Sequence, residues 1–402
     1  MSKIYIVAAK RTPIGSFGGA LKSVTAAQLA AEAVKGALAD GNVDVNAVDE
    51  LIMGNVIAAG QGMGPGRQAA IAAGIPEETS AYTVNMICGS GMKVVMDAAA
   101  HIKAGDANIV VACGGESMSR YPFIVSSDIR YGNKMGGMNL SDSLIDDGLT
   151  DVFNKYHMGI TAENVAEKIG VSREEQDDFA LQSQLRAVSA LESGKFKDEV
   201  TPVEVTVRRK TSVVDTDEYP KADATAEGLA KMRPAFKKDG TVTAGNASGL
   251  NDGGSAIILA SEEAVAQHGL KPIAELVSYA QAGIDPTIMG LGPVPAVAKA
   301  LKQADLSLQD INLLELNEAF AAQALGVMKA LCTEHNESLD DLKERSNVNG
   351  GAIALGHPLG ASGNRIMVTL LHEMKKRGDK LGLASLCIGG GMGTAVIVKA
   401  VD

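Results

Sequence analysis

No tryptophan occurs among the 402 residues, and tyrosine and phenylalanine number only seven each. Cores must therefore be built from Ala, Val, Ile, Leu and Met. Cysteine is scarce too, with four residues at positions 88, 113, 332 and 387. Cysteines so few and so scattered make no disulfide framework and fit a reducing compartment, the cytoplasm being expected. No apolar run reaches the length of a membrane span. Positive charge is in deficit, at a formal net of −11. That argues against generic binding to nucleic acid, although an anionic ligand would feel only the local field. Residues 3–7 open the chain as a strand and residues 395–402 close it as another. Neither a signal or transit segment nor a C-terminal targeting tag is therefore expected. What abounds is glycine, with 45 residues, and the length suits two fused halves better than one domain.

The glycines punctuate alternating elements. Residues 4–8 read as a strand, 25–39 as an Ala-rich helix, 50–56 as a strand, 60–66 as a Gly-rich loop and 67–73 as a helix. Residues 82–84 form a short strand that leads into a helix over 92–103, with Val94, Val95, Ala98, Ala99 and Ile102 at helical spacing. Residues 108–115 are a buried strand. Such alternation predicts a largely parallel sheet with helices on both faces. The last third repeats the plan. A helix over 294–304 precedes a strand over 311–317, and a Gly-rich loop over 350–363 opens a helix through Met374. A strand over 380–387 then ends in Gly389-Gly390-Gly391. Residues 48–55 line up with 310–317, and 109–115 with 383–389, so an internal duplication is the simplest account. Residues 120–248 break the rhythm. Loops fall at 132–137 and 142–151, and amphipathic helices at 161–169 and 173–192, the second capped by Ser172 with Glu175 at N3. This span reads as an insertion over one face of the core, and loops that long are more often functional than idle.

Cys88, in Asn85-Met86-Ile87-Cys88-Gly89-Ser90-Gly91, sits where a strand gives way to a helix N-terminus. Unpaired N–H groups and the helix dipole there favour a thiolate, the nucleophilic form. The alternative is an inert cysteine that fills space. His357, in Gly356-His357-Pro358-Leu359-Gly360-Ala361-Ser362-Gly363, is a candidate base in a tight turn before a helix. It could equally be a histidine satisfied by backbone groups. The spacing Gly351 to Gly356 matches a P-loop, but His357-Pro358 replaces Lys-Ser/Thr, and Pro65 spoils the dinucleotide fingerprint in residues 60–66. Cys387 lies at a strand's C-terminal end, facing the usual ligand crevice of an α/β sheet, or else is packed there. Asn317, also at a strand end, could hold a water or an oxyanion, or could N-cap a helix over 318–328. Cys88, His357 and Cys387 lack any paired-ligand spacing, so no metal is expected. Cys113 and Cys332 read as structural.

Together these stretches resemble the thiolases, most closely their biosynthetic acetyl-CoA acetyltransferase branch. The resemblance runs from Val7-Ala8-Ala9-Lys10-Arg11-Thr12-Pro13 to the Cys387 loop and includes Asn317-Glu318-Ala319-Phe320. Tyr156-His157-Met158-Gly159 and residues 244–253 favour the short-chain branch. The resemblance implies a thiolase fold, with duplicated α/β halves in a layered α-β-α-β-α core and an inserted loop domain. The halves would be 1–119 plus 249–270 and 271–402, and the loop domain 120–248. It also implies that Cys88 accepts the acetyl group from acetyl-CoA with help from His357. Cys387 would then deprotonate a second acetyl-CoA, whose enolate attacks acetyl-Cys88 to give acetoacetyl-CoA. His357 and a water held by Asn317 would stabilise the enolate, and the N–H groups of Cys88 and Gly389 the acyl oxyanion. Ser248 would touch the pantetheine arm, with His157, Met158, Ala319 and Phe320 near the acyl end. Where relatives carry an arginine near the CoA phosphate, this chain has Lys221, which keeps the charge but loses the bidentate fork.

The resemblance implies no resident cofactor, CoA thioesters being substrates, and a homotetramer built as a dimer of dimers through residues 120–141. Its nearest rival is a degradative 3-ketoacyl-CoA thiolase of broader chain length. Condensing enzymes of fatty-acid synthesis lack the second catalytic cysteine. A non-catalytic lipid-carrier relative does not need Cys88, His357 and Cys387 together, and a cysteine hydrolase would release free acetate without an acceptor.

Overall fold

The computed structural model describes residues 3–401; Asp402, in the expected final strand, lies outside them. The first run of elements is β1 (Ile4–Arg11), α1 (Ala26–Asp40), β2 (Glu50–Gly54), α2 (Pro65–Ala72), β3 (Ser80–Val84), α3 (Ser90–Ala104) and β4 (Ile109–Ser117). The insertion carries α4 (Met158–Ile169) and α5 (Arg173–Glu192), the latter with the expected Ser172–Glu175 capping box. Then come β5 (Asn251–Ser261), β6 (Ala274–Gly283), α6 (Pro293–Ala304), β7 (Leu313–Leu316), α7 (Ala321–His335), α8 (Leu359–Arg377), β8 (Leu381–Ile388) and β9 (Met392–Ala400).

The strands lie in the order β7-β8-β9-β6-β1-β5-β4-β2-β3. Two half-sheets meet at β1 and β6 through a seam of only two residue pairs, Tyr5–Glu275 and Ile6–Ala274. The expected largely parallel sheet is corrected. Only β2 with β3, β2 with β4, and β7 with β8 run parallel, and every other neighbour on this path is antiparallel. The reason is local in the second half. β9 follows β8 through Gly389-Gly390-Gly391, where Gly390 and Gly391 take positive φ, and a strand returned by so short a turn pairs antiparallel. The duplication is visible as β-α-β-α-β-α-β-β in the first half and β-α-β-α-α-β-β in the second, where the single bridge Leu314–Ser346 stands in place of β3. The two matched segments do not share one register. Leu51 pairs with Val111, and its counterpart Leu313 pairs with Gly382, not with Ser385, which the second match sets against Val111. An odd shift of that kind would turn every side chain to the opposite face.

Three apolar layers hold the halves together. One core joins α1 and α2 to the outer face of the first half-sheet, through Leu51, Ile109, Val111 and Ile258. Another joins α6 and α7 to the second, through Leu314, Leu383, Ala395 and Ile397. Between the sheets, α3 and α8 pack on residues of alternate parity, such as Ile52, Val110, Ala112, Ala384 and Val396. The layers are thus α-β-α-β-α. At their N-terminal ends α3 and α8 touch backbone to backbone. A Cβ at Gly91 would lie 2.8 Å from both the Asn364 nitrogen and the Gly360 oxygen, and one at Gly363 would lie 2.5 Å from the Met92 nitrogen. Glycine at these points brings together the two helix starts that carry Cys88 and His357.

The insertion is tied to β1 by Arg11, whose fully buried guanidinium meets Glu199 at 2.7 Å and Asp217 at 2.6 and 2.8 Å. Within it, Leu144–Leu149 winds as a π-helix where a loop is expected, because Leu144 buries itself beside Met118 and Leu359. Among the described residues no helix is long and apolar enough to cross a membrane.

Candidate active site

The chain passes from β3 to α3 through a turn that hydrogen bonds hold in an uncommon shape. Ile87 takes φ of 50°, a region that costs a branched residue energy. The Asn85 side-chain oxygen accepts from the Ile87 N–H at 2.9 Å. Ser90 Oγ accepts from the Met86 N–H at 2.8 Å and donates to the Ile87 carbonyl at 2.7 Å. Cys88 is thereby presented at the start of α3, half-buried in an apolar cavity. Burial pushes its thiol up to about 11, against the opposing pull of the Gly389 and Cys88 N–H groups beside the sulfur. Burial thus works against the thiolate expected from the helix N-terminus, and the N–H groups at the sulfur work for it.

His357 follows Gly356, whose φ of 107° and tight fit against Asn251 suit glycine alone. The Asn251 oxygen accepts from the His357 N–H at 3.0 Å. Nδ1 lies 2.6 Å from Ser362 Oγ, and that hydroxyl gives its one proton to the Pro358 carbonyl at 2.9 Å. Ser362 must then accept from Nδ1–H, which leaves Nε2 with a free lone pair. Nε2 is buried with no protein partner, so the alternative of a histidine satisfied in its loop fails. Burial, with the Arg365 charge adding to it, pulls the imidazole down to about 3. The His357 imidazole is therefore neutral at physiological pH.

Cys387 lies near the end of β8, packed with Met158, Met289 and Phe320. Burial, then the neighbouring Cys88, push its thiol well above the ordinary range. Asn317 follows β7, and its N–H donates to the Ser385 carbonyl at 3.0 Å. α7 begins only at Ala321, so Asn317 caps no helix. Both polar atoms of its side chain are buried without a protein partner, and Asn317 does not line the cavity that holds Cys88.

One cavity of about 350 Å³ gathers Cys88, His357, Cys387 and Gly389 with Ser248, His157, Met158, Ala319 and Phe320. The His157 ring stacks on Phe236 at 4.6 Å, and Phe236 meets Phe320 edge-on at 6.1 Å. His157 Nδ1 accepts from the Gly159 N–H at 3.0 Å, and burial lowers its pKa, so it serves as a neutral wall. Lys221 is not in this cavity. It lines a neighbouring one of about 180 Å³, and Tyr219 and Ala244 line both. Phe236, Tyr219, Asn251 and Ser362 were not foreseen as site residues. The last two lie inside stretches already singled out, but nothing local says where their side chains point. Among the described residues no group of three or more His, Cys, Asp or Glu is placed to hold a metal ion.

Two thiols and an imidazole with a free lone pair face one largely apolar space, with backbone N–H donors at the first thiol. That set suits acyl transfer through a thioester to the protein, with a second thiol free for proton transfer. Residues 4–263 match the family model described as the N-terminal domain of thiolase, and residues 270–400 that of its C-terminal domain. The chain is 55% identical over 398 residues to the acetyl-CoA acetyltransferase of Chromobacterium violaceum, covering 99% of each. Among solved structures it is similar to the Bacillus anthracis acetyl-CoA acetyltransferase, with a TM-score of 0.95 and 46% identity, covering 100% of this chain and 99% of that one. It is also similar to human mitochondrial 3-ketoacyl-CoA thiolase, with a TM-score of 0.94, 46% identity and the same coverage.

Proposed function

The chain belongs to the thiolase family, and we propose that it is an acetyl-CoA C-acetyltransferase that condenses two acetyl-CoA into acetoacetyl-CoA and CoA, reversibly, through acetyl-Cys88. The observation that carries this reading is the shared cavity of Cys88, Cys387 and an imidazole whose Nε2 is free. His357 takes the Cys88 proton as the sulfur attacks the thioester carbonyl. The N–H groups of Cys88 and Gly389 hold the oxyanion while CoA leaves as its thiolate. Cys387, a thiol at rest because it is buried, protonates that leaving group and becomes the base for the next step. It removes a methyl proton from the second acetyl-CoA, and the enolate carbon attacks acetyl-Cys88. His357, now carrying the Cys88 proton on Nε2, and a water on Asn317 donate to the enolate oxygen where charge develops. As the new carbon–carbon bond forms, the bond from acetyl to sulfur breaks, and His357 returns the proton to Cys88.

Ser248 contacts pantetheine, and Lys221, in the neighbouring cavity that shares Tyr219, contacts the CoA phosphate. The chemistry balances with these groups and CoA thioesters alone, without a resident cofactor. The proposed division is 1–119 plus 249–270, then 120–248, then 271–402. The setting is the cytoplasm and the assembly a homotetramer. The human mitochondrial relative favours a second reading, a 3-ketoacyl-CoA thiolase of broader range. Thiolysis across acyl lengths separates the two, since rates with long chains equal to or above those with acetoacetyl-CoA favour the second.

Replacing Cys387 with Ala tests the mechanism. Transfer of label from acetyl-CoA to Cys88 should fall only modestly. Condensation, and exchange of the acetyl methyl protons with deuterated solvent, should fall on the order of 10²–10⁴-fold. Exchange and condensation persisting near the wild-type rate in a folded variant would exclude Cys387 as the base.

A further inference from the structure

Behind the two catalytic turns lies a carboxylate that the reaction scheme leaves unused. Glu116, at the end of β4, is fully buried and pairs in register with Gly253 of β5. Its Oε1 accepts from the Asn55 side-chain amide at 2.8 Å. Its Oε2 accepts from the backbone N–H groups of Val56 and Gly360, both at 2.9 Å. Val56 belongs to the first half, whereas Gly360 stands in the first turn of α8 in the second.

From each contact a short path runs to a reacting group. The Val56 carbonyl accepts from the Asn85 side chain at 3.0 Å, and Asn85 in turn holds the Ile87 N–H, one residue before Cys88. Gly360 lies between Pro358 and Ser362, the pair that fixes His357 Nδ1. The approach needs residue 360 to lack a side chain, because a Cβ there would sit 2.6 Å from Glu116 Oε2 and 2.8 Å from the Asn55 Cα. These neighbours donate, which favours an ionised carboxylate against the burial that pushes its pKa up to about 7, and an amide would turn an N–H towards one of them. The carboxylate also meets the positive end of α8.

We propose that Glu116 is a positioning residue: one buried carboxylate that sets the spacing of the Cys88 turn and the His357 turn across the two halves. The inference rests on the thiolase reading above. Burying a carboxylate is costly, and an apolar residue would join two packed halves at least as well. What the carboxylate adds is a fixed distance, and a misplacement of about 1 Å between reacting groups costs on the order of 10²-fold.

The test compares Glu116→Ala with wild type, His357→Ala and the double variant, in acetoacetyl-CoA thiolysis, with folding checked by circular dichroism. Glu116→Ala should lower kcat about 10- to 100-fold and leave KM within about twofold, since the cavity wall is untouched. In the His357→Ala background the same change should cost less than about threefold, because the alignment it maintains has lost its object. A folded Glu116→Ala with wild-type kcat, or a full multiplicative loss in the double variant, overturns the proposal. If Glu116→Ala does not fold, Glu116→Gln replaces it and should show a smaller loss with the same non-additivity; wild-type kcat in Glu116→Gln overturns the proposal as well. Failure of the thiolase reading looks different, as wild type itself would then show no CoA-dependent cleavage of acetoacetyl-CoA.

Discussion

At pH 7 Cys88 keeps its proton and His357 carries none beyond its Nδ1–H, both because burial disfavours their charged forms. On the proposed mechanism the resting site then holds no ion pair, and the proton moves as the substrate carbonyl arrives. Iodoacetamide alkylation of Cys88, followed by mass spectrometry, should therefore rise nearly tenfold per pH unit from about pH 7 to 10. A plateau reached by about pH 7.5 would instead reveal a preformed thiolate–imidazolium pair. The same depressed imidazole links stability to acid. The unfolded histidine takes up a proton below about 6.5, whereas the folded one refuses it down to about 3. The contribution of His357 to stability is thus present above pH 6.5 and is lost as pH falls towards 3. Residue types and motifs exposed Cys88, His357 and Cys387 as candidates in advance. Their protonation states depended on burial, which no local stretch encodes.

Among elements, the crossing of α3 and α8 decides whether there is a site. Gly91 faces backbone atoms of α8 that cannot rotate away. Gly91→Ala should cost about 1–3 kcal/mol in overpacking and pry the helix starts apart, with thiolysis falling tenfold or more. Gly283→Ala, where the nearest atom to a Cβ is 3.9 Å away, is the control and should leave the melting temperature and rate unchanged. Equal effects of the two changes would show that close approach of the helices is not what glycine provides at position 91. Both helices were legible from apolar spacing and from the turns that precede them. β5 and β6 carried no such signal. β5 starts with Asn-Asp-Gly-Gly and then runs apolar on both faces, so period-two alternation never appears in it.

For the whole molecule, the outstanding feature is an exposed apolar excursion. The hairpin Phe123–Val125 with Leu140–Asp142 and the loop between them expose Phe123 at 64%, Tyr131 at 85%, Met135 at 90% and Leu140 at 68%. Apolar side chains gathered on one projection mark an association surface. If this loop joins two dimers into the proposed tetramer, Tyr131→Asp combined with Met135→Asp should halve the mass seen by light scattering. A tetramer that survives both changes at micromolar concentration would place the contact elsewhere.

By itself the sequence determined the family, the duplicated plan and the residues proposed to react. Each of these is written in contiguous motifs, where a turn's chemistry depends on its own residues. Tertiary structure alone decided the antiparallel half-sheets, the tautomer of His357, the unpartnered amide of Asn317 and the separation of Lys221 from the main cavity. It also decided that Glu116, Asn251 and Ser362 reach the turns that carry Cys88 and His357. Each of these depends on which distant backbone group a side chain meets, and on how much water the packed halves exclude. Those quantities arise only when residues more than 200 positions apart, such as Glu116 and Gly360, are brought within a hydrogen bond of one another.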